Sequence, residues 1–219
     1  MDPMIETLAR ELGRTQQQVE NVVKLIDEGA TIPFIARYRK ELHGSMDDQL
    51  LRQLADRLQY LRNLDARKDE VKSSIEHQGK LTDELAAAIE KAATLAEVED
   101  LYRPYKQKRR TRATIAREKG LEPLARVLFD RGPAVDPAQA ALPFVDPEKG
   151  VETAEDALQG ASDIIAEEIS DNADIRKELR DLFLRRGLLV SKAAQKEPED
   201  SVYRLYYDFK VPVGKAQGY

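Results

Sequence analysis

The sequence contains no cysteine among its 219 residues. This absence excludes a disulfide framework and any thiolate metal or redox site, and it fits a reducing compartment. Long uncharged segments are absent too: the longest, Pro137 to Val145, has nine residues, whereas a membrane-spanning helix needs about 20. The first residues include Asp2, Glu6 and Arg10 and lack the apolar segment of a secretion signal. We therefore expect a cytoplasmic protein with no membrane partner.

Motifs of catalysis are also scarce. The only two histidines, His43 and His77, each lie within two residues of a glycine at a predicted helix end, where the helix dipole favours a cation. The sequence has no Gly-rich phosphate loop with a lysine, no nucleophile elbow and no helical His-Glu metal spacing. Carboxylate pairs such as Glu167 and Glu168 fall on acidic helix faces. We predict that the protein is not an enzyme and has no catalytic residue, cofactor or metal ion.

Glycine and proline together account for only 21 residues, while 42% of the chain is hydrophobic and 34% is charged, which indicates a globular protein. Apolar residues recur every three or four positions along most of the chain, which predicts an all-α fold. In the first forty residues this pattern is divided at Gly13, Gly29 and Pro33. It predicts three short helices that resemble a helix-turn-helix arrangement in outline.

One predicted helix is much longer than the others. The apolar period continues without glycine or proline from Asp47 to His77, a helix of about 30 residues and roughly 45 Å. Ser45 and Asp48 resemble a capping box at its start. We expect this helix to be a strut on which the other segments pack. A coiled-coil seam is the alternative, although charged residues such as Asp65 interrupt a strict heptad.

The second half of the chain is divided by a Pro-rich interval. We predict a helical domain over 1–130, a connection over 131–150 and a second helical segment over 151–219. Within the last segment, the residues from Leu188 to Val190 could form a short strand, and Glu197 to Phe209 are predicted to form a last helix.

Positive charge is concentrated in one segment. Eight lysines and arginines and a single acid lie between Arg103 and Lys119; without this segment of +7, the rest of the chain carries −12 instead of −5. A cationic patch on an anionic body is the usual electrostatic pattern of a protein with a polyanion partner. The nucleic-acid-binding candidates in this patch are Arg103, Lys106, Lys108, Arg109, Arg110 and Arg112.

The patch leads into a helix that Thr111 is predicted to cap. Free backbone N–H groups in the first turn, with guanidinium groups around them, would form a phosphate site, and Tyr102 and Tyr105 could stack on bases. Other interpretations stay open. The cations could pair with acidic protein surface such as Glu99 and Asp100, or be solvated without a specific role, and the two tyrosines could be packing residues.

A smaller basic group consists of Arg37, Arg39 and Lys40. In a helix through this region, Arg37 and Lys40 would share one face, and Phe34 and Tyr38 another. We expect the two rings to lie in the core rather than against bases. The three cations are further candidates for nucleic-acid binding, although Arg37 could equally tie helix ends together.

The C-terminal residues are rich in aromatics, with five in the last seventeen positions. In the predicted last helix, Tyr203 and Tyr207 would share a face with Tyr206 next to it. We predict interdomain or partner docking through Tyr203, Tyr206, Tyr207 and Phe209. Partial exposure, folding back and pairing with a second copy are the alternatives.

Three segments resemble signature segments of a known family. They are Thr31 to Glu41 (TIPFIARYRKE), Leu101 to Thr111 (LYRPYKQKRRT) and Ile115 to Ala125 (IAREKGLEPLA). With them, essentially the whole chain resembles the bacterial Tex family of transcription accessory proteins. The resemblance implies an N-terminal region that leads into an RNase H-like domain, helix-hairpin-helix repeats and an OB-fold RNA-binding domain. The family is also similar to a eukaryotic elongation factor and histone chaperone, which implies work beside RNA polymerase.

In that family the best-supported nucleic-acid contacts belong to the OB-fold, so any contact made by this region has to rest on its own residues. We predict a non-enzymatic region of a transcription accessory protein that binds RNA or DNA weakly and without sequence preference. The alternative is a scaffold that positions downstream domains or docks on the transcription machinery without touching nucleic acid.

Overall fold

A computed structural model describes residues 2–107, 109–131, 135–194 and 201–216. Helix accounts for 73% of these residues, and the sheet found among them has two strands. The predicted all-α class is therefore confirmed. The chain forms two compact units, Met1–Val98 and Glu99–Tyr219.

The first unit is built from short helices around one long helix. The helices are α1 (Pro3–Leu12), α2 (Gln16–Asp27), α3 (Ile32–Tyr38), α4 (Lys40–His43), α5 (Asp48–His77), α6 (Asp83–Lys91) and α7 (Leu95–Tyr102), the last of which continues into the second unit. The boundary between α1 and α2 has local causes: Gly13 ends α1 with a left-handed backbone at φ 62°, and Thr15 caps α2 in a capping box with Gln18.

The long helix α5 confirms the predicted strut. It runs uninterrupted for 30 residues. Its N-terminal leucines Leu51, Leu54 and Leu58 are buried in the core against α1, α2 and α3, and its C-terminal half contacts α6. The apolar stripe is therefore used inside the first unit, which argues against the coiled-coil alternative.

The start of α5 differs from the prediction. Asp47 is the N-cap, because its Oδ1 accepts the Leu50 N–H at 2.7 Å. Ser45 does not cap the helix; it lies in the preceding turn at φ 56°. The predicted capping box of Ser45 and Asp48 is therefore wrong, and the carboxylate two residues later takes its place.

The second unit has its own core around helix α11. Its other helices are α8 (Arg112–Glu118), α9 (Glu122–Arg131), α10 (Pro137–Ala141) and α12 (Ala173–Arg186), with α11 at Ala154–Asp171. The buried side chains of α8 are alanines, α11 buries two alanines and Ile164, and α9 contributes Leu124. Small side chains allow α8 and α11 to approach closely.

The Pro-rich interval is folded onto this second core. Residues 135–150 form α10 and two short 3₁₀ turns, and an isolated bridge joins Asp146 to Val151. Ala141 and Val151 are buried with the helices of the second unit. This interval therefore lies inside a compact unit, and the chain is divided by compactness between Val98 and Glu99.

The C-terminal part contains the only strands among the described residues. β1 (Leu188–Lys192) pairs antiparallel with β2 (Asp208–Pro212), with Leu188 opposite Pro212. The predicted strand after Gly187 is confirmed. The predicted last helix is wrong within residues 201–209, which form turns and the start of β2; residues 195–200 lie outside the described ranges. Alternation in β2, with Phe209 and Val211 half-buried, matches a strand whose partner is about twenty residues away.

Candidate nucleic-acid interface

The basic segment predicted to bind nucleic acid forms the link between α7 and α8. Arg103, Pro104 and Tyr105 make a 3₁₀ turn directly after α7, and residues 106–107 and 109–111 have irregular backbone. Thr111 caps α8 as predicted, because its Oγ1 accepts the Thr114 N–H at 3.0 Å. Lys108 lies outside the described residues.

Two of the predicted contact residues are committed to ion pairs in the second unit. Arg103 Nε lies 2.8 Å from Asp171 Oδ1, and the Asp171 side chain is only 12% exposed. Lys106 Nζ pairs with Glu99 and also lies 5.3 Å from the centre of the Tyr102 ring. These contacts favour a structural role for both cations and match the acidic-surface alternative.

Three other arginines of the segment project into solvent. Arg109 is exposed, Arg110 Nη2 lies 2.6 Å from Glu118 Oε2 in a pair that is itself exposed, and the Arg112 side chain is 84% exposed with Asp163 Oδ1 3.8 Å away. Exposed pairs contribute roughly 0–1 kcal/mol. Loss of the Arg110–Glu118 pair would therefore cost little stability.

The N-terminus of α8 is already occupied by an acidic side chain. The Thr111 hydroxyl donates to Glu167 Oε1 at 3.0 Å, and Arg117 donates to Glu167 Oε2 at 2.6 Å. An open cleft of about 490 Å³ beside it is lined by Glu167, Glu168 and Asp171 as well as by cations. A phosphate would meet like charge there, which counts against a phosphate at this helix start; the phosphate site stays a prediction. Sequence reasoning missed Glu167 because it lies 56 residues from Thr111.

The two tyrosines of the segment are half-buried. Tyr102 has the Lys106 ammonium near its ring, and Tyr105 lies in the turn that follows α7. Partial burial favours the packing alternative over base stacking for both rings.

The smaller basic group lies in the first unit and differs from its prediction in two respects. Phe34 and Tyr38 are 40% and 56% exposed, so the prediction that they lie in the core is wrong. The buried side chain of this short helix is Ile35, which is fully inaccessible. Because α3 ends at Tyr38 and the backbone of Arg39 leaves helical geometry at φ −130°, Arg37 and Lys40 do not share a helix face.

The cations of this group have no acidic partner among the described residues. Throughout the part of the chain that the structure describes, no carboxylate lies within 4 Å of the charged groups of Arg37, Arg39 or Lys40. Arg37 Cζ lies 5.9 Å from the centre of the Tyr38 ring, and Arg39 Cζ lies 5.3 Å from that of Phe34.

The C-terminal aromatics line an irregular surface rather than a helix face. Tyr203 and Tyr206 are exposed, Tyr207 and Phe209 are half-buried, and the rings of Tyr206 and Phe209 have centroids 5.7 Å apart. Tyr203 and Tyr207 therefore do not share a helix face, contrary to the prediction. Docking through these residues stays a prediction.

Both histidines make local hydrogen bonds in the first unit. His43 is buried, and its Nδ1 accepts the Met46 N–H at 2.9 Å, while His77 Nδ1 lies 2.6 Å from the Ser73 carbonyl oxygen. Among the described residues, no three His, Cys, Asp or Glu side chains are grouped so as to hold a metal ion. Within the same ranges no helix has the length and apolar character to cross a bilayer.

Comparison with known proteins gives matches along most of the chain. Residues 2–76 match the family model described as Tex-like protein N-terminal domain, and residues 132–217 match the one described as Tex central region-like. The chain is 48% identical over 211 residues to Protein tex of Bordetella pertussis, covering 96% of this chain and 26% of that protein.

Two further relatives extend the comparison. The chain is 45% identical over 207 residues to Transcriptional accessory protein Tex of Neisseria gonorrhoeae, covering 94% of this chain and 27% of that protein. It is 30% identical over 196 residues to human S1 RNA-binding domain-containing protein 1, covering 88% of this chain and 19% of that protein. The chain thus spans about a quarter of the length of these bacterial relatives.

Proposed function

Because the chain belongs to the Tex family, we propose that it is a non-enzymatic, cytoplasmic part of a transcription accessory protein and binds nucleic acid weakly and without sequence preference. The human relative is named S1 RNA-binding domain-containing protein 1, and this name supports a nucleic-acid partner. The proposal concerns the 219-residue chain itself and assigns the contacts to its own side chains.

The observation that carries this proposal is the exposure of Arg109, Arg110 and Arg112 on one short link. Their carboxylate neighbours are exposed or distant, so each guanidinium is available for a bidentate contact with phosphate. We expect Arg103 and Lys106 to contribute little to phosphate binding, because a phosphate contact would break the Arg103–Asp171 and Lys106–Glu99 ion pairs. We therefore expect about three phosphate contacts from this link.

Counterion release translates this number into a measurable slope. These three contacts contribute roughly −2 to −3 to the log–log salt slope, with a Kd on the order of 10⁻⁴ to 10⁻⁶ M at physiological salt. The test is a salt titration by fluorescence anisotropy with labelled single-stranded and duplex oligonucleotides. Arg109→Gln, Arg110→Gln and Arg112→Gln in combination should weaken binding at least about tenfold and flatten the slope by about two units.

A matched control removes the same charge elsewhere. Arg10, Arg14 and Lys24 are exposed cations of the first unit, and their replacement by Gln lowers the net charge by the same amount. If the control weakens binding as much as the test variant, the effect comes from net charge and the assigned contact surface is wrong. Absence of binding by the parent at low salt would refute the proposal altogether.

A second candidate function is that of a scaffold, and the surface of α12 favours it. None of its side chains is buried, and Leu179, Leu182, Phe183 and Leu184 are all exposed. So many apolar side chains on one segment mark a protein–protein contact. The test is calorimetry at 0.5 M salt against the part of a longer Tex relative that follows the aligned region. Salt-resistant binding that Phe183→Ser abolishes would favour the scaffold; no binding would count against it.

A further inference from the structure

The surface of α3 combines two exposed aromatic rings with cations. Phe34 and Tyr38 lie one helical turn apart, with ring centroids separated by 5.3 Å and planes tilted by 46°. The Arg39 guanidinium lies over Phe34 and donates to the Tyr38 carbonyl oxygen at 3.3 Å, while Arg37 lies over Tyr38. The rings and guanidinium planes together form one outward-facing group, which we call the α3 platform.

Core packing does not account for this platform. Ile35 points into the core and is fully buried, and Ile32 and Ala36 pack beside it. The two rings therefore lie on the solvent side of α3. The helix packs on the core through the smaller aliphatic residues instead. Exposed aromatic side chains next to one another are typical of a binding surface.

The charge around the platform is of one sign. The segment from Ala30 to Lys40 contains three cations and no acid, although the whole chain carries −5. Among the described residues these cations make no ion pair, unlike Arg103, Lys106 and Arg110 of the second unit. An anionic partner is therefore complementary to the α3 platform.

We propose that the α3 platform stacks on the bases of a single-stranded nucleic acid, while Arg37, Arg39 and Lys40 contact its phosphates. This inference rests on the proposed nucleic-acid function and adds a second contact surface and a strand preference to it. Single strands fit because their bases can be splayed onto aromatic rings and guanidinium planes, whereas duplex bases are covered by their neighbours. An acidic peptide would use the cations but leave the rings without a planar partner.

The experiment separates stacking from charge. Phe34→Leu and Tyr38→Leu together remove both rings and no charge. Anisotropy is measured with an oligothymidylate and with an abasic oligonucleotide of the same length, which keeps the phosphates and lacks the bases. The parent should bind the oligothymidylate at least about fivefold more tightly than the abasic strand, the lower end of what one base–aromatic stack contributes. The variant should lose this preference and keep the salt slope of the parent.

Controls make a failure of this inference distinct from a failure of the proposed function. Phe129 is an exposed phenylalanine outside the platform, and Phe129→Leu should leave the preference unchanged. Circular dichroism and thermal unfolding check the fold of each variant. If the double variant retains the preference for bases, or loses affinity equally for both strands, base stacking is refuted while phosphate binding by the second unit stands.

Three other results would also overturn the inference. If the parent binds both strands equally, the platform does not read bases. If polyglutamate binds the parent as tightly as oligothymidylate does and loses affinity in the same double variant, the partner of the platform is an acidic protein segment. If neither strand binds at low salt, this inference and the proposed function both fail.

Discussion

Asp100 provides the sharpest test of how the second unit holds its exposed helix α12. This carboxylate lies on α7 and is only 4% exposed. Arg176 Nε lies 2.5 Å from its Oδ1, and Arg180 Nη1 lies 2.5 Å from its Oδ2. Because α12 has no buried side chain of its own, these two ion pairs are a main attachment between α7 and α12.

The loss of stability depends on which charged group remains without its partner after the substitution. Arg176→Met and Arg180→Met together leave a buried carboxylate without these partners, which destabilises by about 3–5 kcal/mol. Asp100→Asn leaves two guanidinium groups that are each about a third exposed and can be hydrated. Its effect should be about 1.5–3 kcal/mol, the contribution of charged hydrogen bonds. Removing the arginines should therefore be worse than removing the acid.

Hydrogen exchange followed by mass spectrometry is the suitable assay, because two compact units need not unfold together. The opening free energy of α12 amides should fall by the stated amounts, while that of α5 in the first unit should not change. Arg185→Met is the control: this arginine is exposed, and its Nε donates to the Asp181 carbonyl oxygen of its own helix. Loss of protection below 1 kcal/mol, or a larger effect of Asp100→Asn than of the arginine pair, would refute the reasoning.

Three other substitutions test charge pairing and packing in the two units. Hydrogen bonds from Arg57 hold the pKa of the Glu11 carboxyl below its ordinary 4.5. The Glu11–Arg57 pair therefore stabilises the fold at pH values above 4.5. This stabilisation is lost as the pH falls through the lowered pKa. In urea titrations Glu11→Gln should cost up to about 1 kcal/mol at pH 7 and nothing near pH 2; an equal difference at both would contradict this. Gly160→Ala would place Cβ 2.3 Å from Leu121 Cδ1. Overpacking should therefore outweigh the gain in helix propensity and lower the thermal unfolding midpoint. A higher midpoint would count against close packing at this position. Leu54→Ala should destabilise the first unit by about 2–5 kcal/mol in chemical unfolding, and an effect below 1 kcal/mol would contradict its place in the core.

The predicted helices were recoverable because their signals are local. Thr111 caps the helix that follows it, and the glycine at position 13 ends the first helix, as their positions next to apolar periods indicate. The 30-residue helix α5 was predicted to within one residue at its start. Its cap was not, because Ser45 and Asp47 are both good caps and only the backbone of the turn selects between them.

The environment of the predicted site residues was less predictable from the sequence than the helices were. The sequence shows that cations cluster after α7, but it does not show that Asp171 contacts Arg103 and that Glu167 contacts Arg117, both from α11 and at least fifty residues away. Likewise, the spacing of Phe34 and Tyr38 places their rings together without indicating whether the pair faces the core or the solvent.

The family followed from long matching segments of sequence. By itself, the sequence also determined the helical class, the end of α1 at Gly13, the Thr111 cap and the long helix α5. Each of these depends on residues within about one or two turns of each other, because the hydrogen bonds of a helix join positions four apart. Only the tertiary structure decided which cations are neutralised, which aromatics are exposed, and that residues 208–212 form a strand with β1. Ion pairs, burial and strand pairing depend on partners that are distant along the chain, so their outcome is set by packing.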